Sequence, residues 1–204
     1  VDYQLLIGNC YVKQPGRGEF SIHQNWNLTD RPADTTVTIW APLQPYDPAN
    51  GSLMVVPGSH KLTRDIAHPR GGHYFSGFVD RVVRDHCVPV PVEPGEAVLF
   101  DDSLLHGSRG NESDHVRAAL QVEAIPAESR PAVYLQRDDG DFDVIDGSAR
   151  FYLETTQAEI DRWTDQFEVF RTEPNRNRAL TEDQFVDLLE RGSQVREELW
   201  GMSA

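Results

Sequence analysis

The chain has 204 residues, of which 39% are hydrophobic and 9% aromatic, and it carries a formal charge of −14. Such a composition supports one domain with a sizeable core and excludes a chain disordered along its length. The acidic balance argues against nucleic acid, whose phosphates demand a basic footprint, and against an anionic membrane surface. No apolar run approaches the roughly 18 to 20 residues that would span a bilayer. Cys10 and Cys87 are too few for a disulfide framework or a four-thiolate metal site, and are expected to be reduced thiols in a cytoplasmic protein. The run beginning at Val1 is already strand-like and has neither an initiator Met nor a signal pattern, so the natural protein is expected to extend further in that direction.

Residues 3–12 are apolar and β-prone until Pro15, Gly16 and Gly18 interrupt them, and residues 20–26 alternate as a second strand. The clearest strand is 35–43 (TTVTIWAPL), rich in β-branched residues. Asp47, Pro48, Asn50 and Gly51 then form a turn before a strand at 52–56. Between 57 and 87 periodicity is lost, and the Gly, Pro, His and Arg content predicts a long surface excursion, with 62–87 as a lid. Strands at 88–92, 97–100 and 116–125 follow. This many short strands separated by turns favour a sandwich or barrel over βαβ units. Beyond about residue 146 the spacing becomes helical over 156–167 and 181–199, the latter opening on Glu182 and Asp183 as a helix start should. Phe185, Leu188, Leu189, Val195 and Leu199 form one apolar stripe, expected to pack on the sheet, with a dimer surface as the alternative.

Of seven histidines, His60, His68, His73, His86 and His115 sit in loop-like surroundings. His23 ends a strand in SIHQNW, and His106 follows a strand and an acidic turn in LFDDSLLHGS. Two histidines from distant strands, with a carboxylate two residues after the first, make a facial triad for non-haem Fe(II). Positions i and i+2 of a strand share a face, which suits a metal. Arg117, eleven residues after His106 in the next strand, is a natural bidentate partner for the distal carboxylate of a 2-oxo acid, with Ser108 able to add a hydrogen bond.

With IWAPL at 39–43, NGSLMVVPGSHK at 50–61 and EPGEAVLFDDSLLHGS at 93–108, the chain resembles the phytanoyl-CoA dioxygenase family of Fe(II)- and 2-oxoglutarate-dependent oxygenases over about 5–126. The resemblance implies a mainly β double-stranded β-helix, a cupin-like jelly roll, with flanking C-terminal helices. The expected organisation is a single domain over 1–204, with a jelly-roll core over 1–146 and a helical extension over 147–204. His23 and His106 are the implied iron ligands, Arg117 and Ser108 the oxo-acid contacts, and Trp40 a family tryptophan near the site. Tyr11, Lys13 and Asn9 are further oxo-acid candidates by position, while the VPGSHK block is structural and His60 is not a ligand. The implied cofactors are Fe(II) and 2-oxoglutarate with O2 as co-substrate. The implied reaction is hydroxylase-type C–H oxidation of a small organic molecule, by a monomer or homodimer with no nucleic-acid or membrane partner. Tyr74, Phe75, Arg70, Arg81 and Arg84 of the lid are candidate substrate contacts.

One departure stands out: where the family has Asp two residues after the first histidine, this chain has Asn25. An amide removes one anionic ligand and weakens iron binding. Four accounts remain open. Asn25 ligates through its amide oxygen in a working oxygenase; it leaves a halide position, as in related halogenases, though those carry Gly or Ala there; the pocket is retained for ligand binding without turnover; or Asp30 or Asp102 substitutes as ligand. A metal-free sugar-binding sandwich and a structural assembly protein are the competing classes.

Overall fold

The computed structural model describes residues 2–62, 65–69, 71–162 and 167–200. Its strands in chain order are β1 (Tyr3–Lys13), β2 (Phe20–His23), β3 (Val37–Pro42), β4 (Leu53–Val55), β5 (Val88–Pro89), β6 (Val98–Asp101), β7 (His106–Ser108), β8 (Arg117–Pro126), β9 (Ala132–Gln136), β10 (Phe142–Asp146) and β11 (Val169–Glu173). The helices are α1 (Val79–Arg81), α2 (Ala149–Glu154), α3 (Gln157–Arg162) and α4 (Glu182–Trp200). One antiparallel sheet has the order β1-β8-β3-β6, a second has β2-β7-β4-β5, and a three-stranded sheet has β11-β10-β9. The fold is a mainly β jelly roll with a C-terminal helix. Among the described residues no helix is long and apolar enough to cross a membrane.

Alternation decides which side chains enter the space between the first two sheets. In β3 the buried positions are Thr38, Trp40 and Pro42, and in β8 Arg117, Ala119 and Glu123 are buried while Leu120 is exposed. Period two puts Arg117, Ala119, Gln121 and Glu123 on one face. In the second sheet, β7 is central: Phe20 of β2 and Leu53 of β4 both pair with Ser108, while His23 and Val55 pair with His106. A Cβ on Gly107 would lie 2.7 Å from the Phe20 carbonyl and 2.9 Å from Ile22 Cδ1, so the HGS motif needs glycine for β2 and β7 to pair this closely. Gly58 at φ 83° turns the VPGSHK block, and the Ser59 hydroxyl accepts a hydrogen bond from Leu105 N at 2.8 Å, tying that block to the strand carrying His106.

Residues 57–87 are not a loose excursion. The stretch is built from short helical turns at Ser59–Lys61, Ser76–Phe78, α1 and Val82–His86. Tyr74, Phe75 and Val82 are buried and join Ile22, Val56, Leu105 and Phe185 in one core cluster. The apolar residues of this segment follow neither a two- nor a 3.6-residue period, which is why its burial is invisible in the pattern. Phe185 and Leu189 of α4 pack on this cluster, and Arg81 forms an ion pair with Glu182. The side chains of Val195 and Leu199, the far end of the expected stripe, lie outside the described residues, as does Arg70.

Strands β9 to β11 have no counterpart in the sequence reading. Their buried runs, Ala132–Leu135 and Phe142–Ile145, are covered on both faces and so show no alternation. The Asp139-Gly140 turn between them, with Gly140 at φ 95°, carries the local hairpin signal.

Candidate active site between the sheets

A cavity of about 120 Å³ opens between the two four-stranded sheets. His23, Asn25, His106 and Ser108 line it from the side of β2 and β7, and Tyr11, Trp40, Arg117 and Gln121 from the side of β1, β3 and β8. His23 and His106 are cross-strand partners, with ring centroids 4.5 Å apart. Each Nδ1 is held by a backbone carbonyl two residues earlier: His23 by Ser21 O at 2.7 Å and His106 by Leu104 O at 2.8 Å. A carbonyl only accepts, so both rings carry the proton on Nδ1 and leave Nε2 with a free lone pair, the tautomer a metal requires. Burial keeps them neutral. It pushes His106 down to about 3, helped by the neighbouring His23 and opposed by the Leu104 carbonyl, and it lowers His23 as well.

Arg117 brings a cation to the opposite wall, and Lys13, which does not itself line the cavity, lies behind it. Lys13 and Arg117 pair across β1 and β8 and are only 1% and 4% exposed. Both donate to the Gly51 carbonyl, at 3.1 Å from Lys13 Nζ and 2.8 Å from Arg117 Nη2. Lys13 Nζ also donates to Ser108 Oγ at 2.6 Å and to Arg109 O at 2.5 Å, while Arg117 lies 5.3 Å from the centre of the Trp40 ring. Among the described residues neither has a carboxylate within ion-pair distance. The consequence is visible in their acidities. Burial and the charge of Arg117 push Lys13 down to about 7, against a weaker pull from Glu19, and burial pushes Arg117 down to about 10. Arg117 therefore presents the cavity with a desolvated cation that has no carboxylate partner among the described residues.

Asn25, just beyond β2, lines the same cavity, and its amide nitrogen donates to Thr38 Oγ1 at 2.7 Å and Glu123 Oε1 at 3.2 Å. Among the described residues no three His, Cys, Asp or Glu side chains converge as a metal site. Neither acidic alternative lines the cavity. Asp30 is 3.9 Å from Arg171, and the Asp102 carboxyl is buried, hydrogen-bonded to Ser103, and raised by that burial.

Other expected residues sit at the margins. Asn9 lines an adjoining cavity of about 330 Å³ with Tyr11, His23, Asn25, Gln121, Glu123 and Tyr152. Phe75 and His73 line a third, of about 430 Å³, which again touches His23. Tyr74 is buried in the core cluster, Arg84 is hydrogen-bonded to Asp85, and Arg81 is occupied by Glu182. Gly51, Thr38, Gln121 and Glu123 escaped the sequence reading. Counting by twos from Arg117 along β8 reaches Gln121 and Glu123, so the period that located the strand also holds this signal.

A jelly roll whose inter-sheet cavity pairs two strand-borne histidines with a buried arginine has the architecture of the 2-oxoglutarate-dependent oxygenases. The chain belongs to the phytanoyl-CoA dioxygenase (PhyH) family, whose sequence model matches residues 2–119, and this family uses Fe(II) and 2-oxoglutarate. It is 31% identical over 135 residues to phytanoyl-CoA dioxygenase domain-containing protein 1 of Danio rerio, covering 61% of this chain and 46% of that protein. It is 35% identical over 118 residues to a probable phytanoyl-CoA dioxygenase of Caenorhabditis elegans, covering 53% and 38%. The chain thus spans less than half the length of these curated relatives. Among solved structures it is similar in fold to SnoK, a non-heme alpha ketoglutarate dependent carbocyclase from nogalamycin biosynthesis. That likeness has a TM-score of 0.53 at 24% identity and covers 63% of this chain and 52% of the other.

Proposed function

We propose that this chain is an Fe(II)- and 2-oxoglutarate-dependent oxygenase domain acting on a C–H bond of a small organic substrate. The observation that carries the reading is the division of one cavity into a neutral, lone-pair-bearing histidine pair and a buried Arg117 guanidinium, backed by Lys13, with no carboxylate partner among the described residues. The first fits a divalent metal and the second a dicarboxylate.

His23 and His106 would hold the metal through Nε2, with the Asn25 amide oxygen as the third protein donor. Arg117, backed by Lys13 and Ser108, would take the distal carboxylate of the oxo acid. When bound, iron and 2-oxoglutarate supply the activation of O2, with decarboxylation of the oxo acid to succinate and CO2. The protein's own share is positional. The Ser21 and Leu104 carbonyls fix the imidazole planes, the Gly51 carbonyl aligns Arg117 with Lys13, and Trp40 and Phe20 screen the anion from water. His23 also borders the two adjoining cavities, which gives a substrate approach to the metal position from outside the oxo-acid pocket.

The test is an anaerobic titration of metal-free protein with Fe(II) and 2-oxoglutarate, following the weak visible charge-transfer band. The band is expected to form in this chain and to be lost in His106→Ala; its absence from the unmodified chain would overturn the proposal. A second reading, retention of the oxo acid without turnover, is favoured by the neutral Asn25. It predicts the same band but no succinate on admission of O2 and candidate substrates.

A further inference from the structure

Asn25 is embedded in a closed hydrogen-bond network. Its amide nitrogen donates to Thr38 Oγ1 at 2.7 Å and to Glu123 Oε1 at 3.2 Å. Thr38 Oγ1 passes the chain on, donating to Glu123 Oε2 at 2.8 Å, and Gln121 Nε2 donates to Glu123 Oε1 at 2.6 Å. The Asn25 backbone N–H is fixed separately on Asp102 O at 3.0 Å. Thr38 and Glu123 are directly opposite across β3 and β8, so two strands of the sheet hold this cluster rigidly. Glu123 is 6% exposed and, among the described residues, pairs with no Lys, Arg or His. Three donors converge on its two oxygens, the set an ionised carboxylate satisfies.

A carboxamide is planar. With the nitrogen committed to Thr38 and Glu123, its Oδ1 is turned away from them, and that oxygen accepts no hydrogen bond from any described residue. We propose that Glu123 is a positioning residue. Through Thr38 and directly, it holds the Asn25 amide so that Oδ1 is presented toward His23 and His106 as a neutral third donor. One step behind, its own charge replaces the negative charge that the usual aspartate ligand would bring. This inference rests on the iron-site reading above and deepens it: Asn25 and Glu123 form a matched pair. An aspartate at position 25 would set a carboxylate oxygen against Glu123 Oε1 at the 3.2 Å now bridged by an N–H, with no proton between them. Restoring the family's Asp alone therefore conflicts with this chain's own design, whereas moving the amide to position 123 at the same time removes the conflict.

The experiment compares the full chain with Asn25→Asp, Glu123→Gln and the double variant Asn25→Asp/Glu123→Gln. Two readouts are taken near neutral pH: the melting temperature of the metal-free protein, and Fe(II) affinity measured anaerobically at saturating 2-oxoglutarate. Asn25→Asp alone should melt roughly 2 to 8 °C below the unmodified chain, and the double variant should recover most of that loss. Glu123→Gln alone should bind Fe(II) about tenfold or more weakly than the unmodified chain, whereas the double variant, which regains a carboxylate at position 25, should bind it at least as tightly as the unmodified chain; a purely structural Glu123 would shift the melting temperature and leave the affinity unchanged. If Asn25→Asp alone melts no lower than the unmodified chain, or if Glu123→Gln binds Fe(II) as tightly as the unmodified chain, the matched-pair inference is overturned while the iron site stands. If none of the four proteins binds Fe(II), the iron-site reading itself fails and this inference with it.

Discussion

Lys13 offers the sharpest test of the anion pocket because its acidity is so far displaced. The ammonium lies behind Arg117 at 1% exposure, donating to Gly51 O, Ser108 Oγ and Arg109 O, and burial followed by the charge of Arg117 pushes it down from 10.5 to about 7. That gap corresponds to roughly 5 kcal/mol of destabilisation of the charged form, an upper bound on what a bound anion can return. The sign follows directly. Above about pH 7 the ligand-free lysine has lost its proton, whereas a dicarboxylate seated against Arg117 favours the charged form. Binding is then coupled to proton uptake. The affinity for 2-oxoglutarate should be level below about pH 7 and should fall above it, approaching tenfold per pH unit. His106 at about 3 and His73 at about 4 stay neutral throughout this window and do not contribute. Calorimetric titration of the metal-loaded protein in two buffers of different ionisation enthalpy, at about pH 6.5, 7.5 and 8.5, reads the proton count directly, with uptake nearing one proton at the highest pH. Lys13→Met keeps the apolar stem and should abolish both the slope and the uptake. An unchanged slope in Lys13→Met, or no uptake in the unmodified chain, would refute the placement of this lysine against the bound anion.

Two further outcomes are expected. Gly51 sits at φ 70°, and a Cβ there would lie 2.4 Å from Arg109 O and 3.0 Å from Lys13 Nζ. Gly51→Ala should therefore cost about 1 to 3 kcal/mol in denaturant unfolding and weaken 2-oxoglutarate binding by about tenfold, because the displaced carbonyl is the one Lys13 and Arg117 share. Normal oxo-acid affinity in that variant would show that the anion end does not depend on Gly51. Phe185 of α4 is fully buried, with ring centroids 5.4 Å from Phe78 and 6.4 Å from Tyr74. Phe185→Ala should lower unfolding free energy by about 3 to 5 kcal/mol; a loss below about 1 kcal/mol would contradict the docking of α4 on the 57–87 segment.

What the sequence disclosed depended on whether burial had a period. Strands β3 and β8 are each half-buried, and their alternation is legible in TTVTIWAPL and RAALQVEAIP. Strands β9 and β10 are buried on both faces and lose that signature, and the 57–87 segment buries Tyr74, Phe75 and Val82 from irregular turns that no periodicity describes. Among the residues that line the candidate site, His23, His106, Ser108 and Arg117 stood out in the sequence because motif spacing and side-chain chemistry coincide there. Glu123 was not, although it lies on the Arg117 face. A lone glutamate in a strand ordinarily marks the solvent side, and only the neighbouring Thr38, Gln121 and Asn25 reveal it as an interior acceptor.

The distribution of charge links these observations to the proposed chemistry. The chain carries 33 acidic and 19 basic side chains, so its long-range field disfavours an approaching dianion. Steering cannot be what brings a dicarboxylate to this cavity. The attraction has to be local, and the desolvated Lys13–Arg117 pair provides it within a few ångströms, where solvent screening is weak. Arg81 and Arg84, the described arginines of the 62–87 segment, are already engaged by Glu182 and Asp85 and bring no uncompensated positive charge to offset that field.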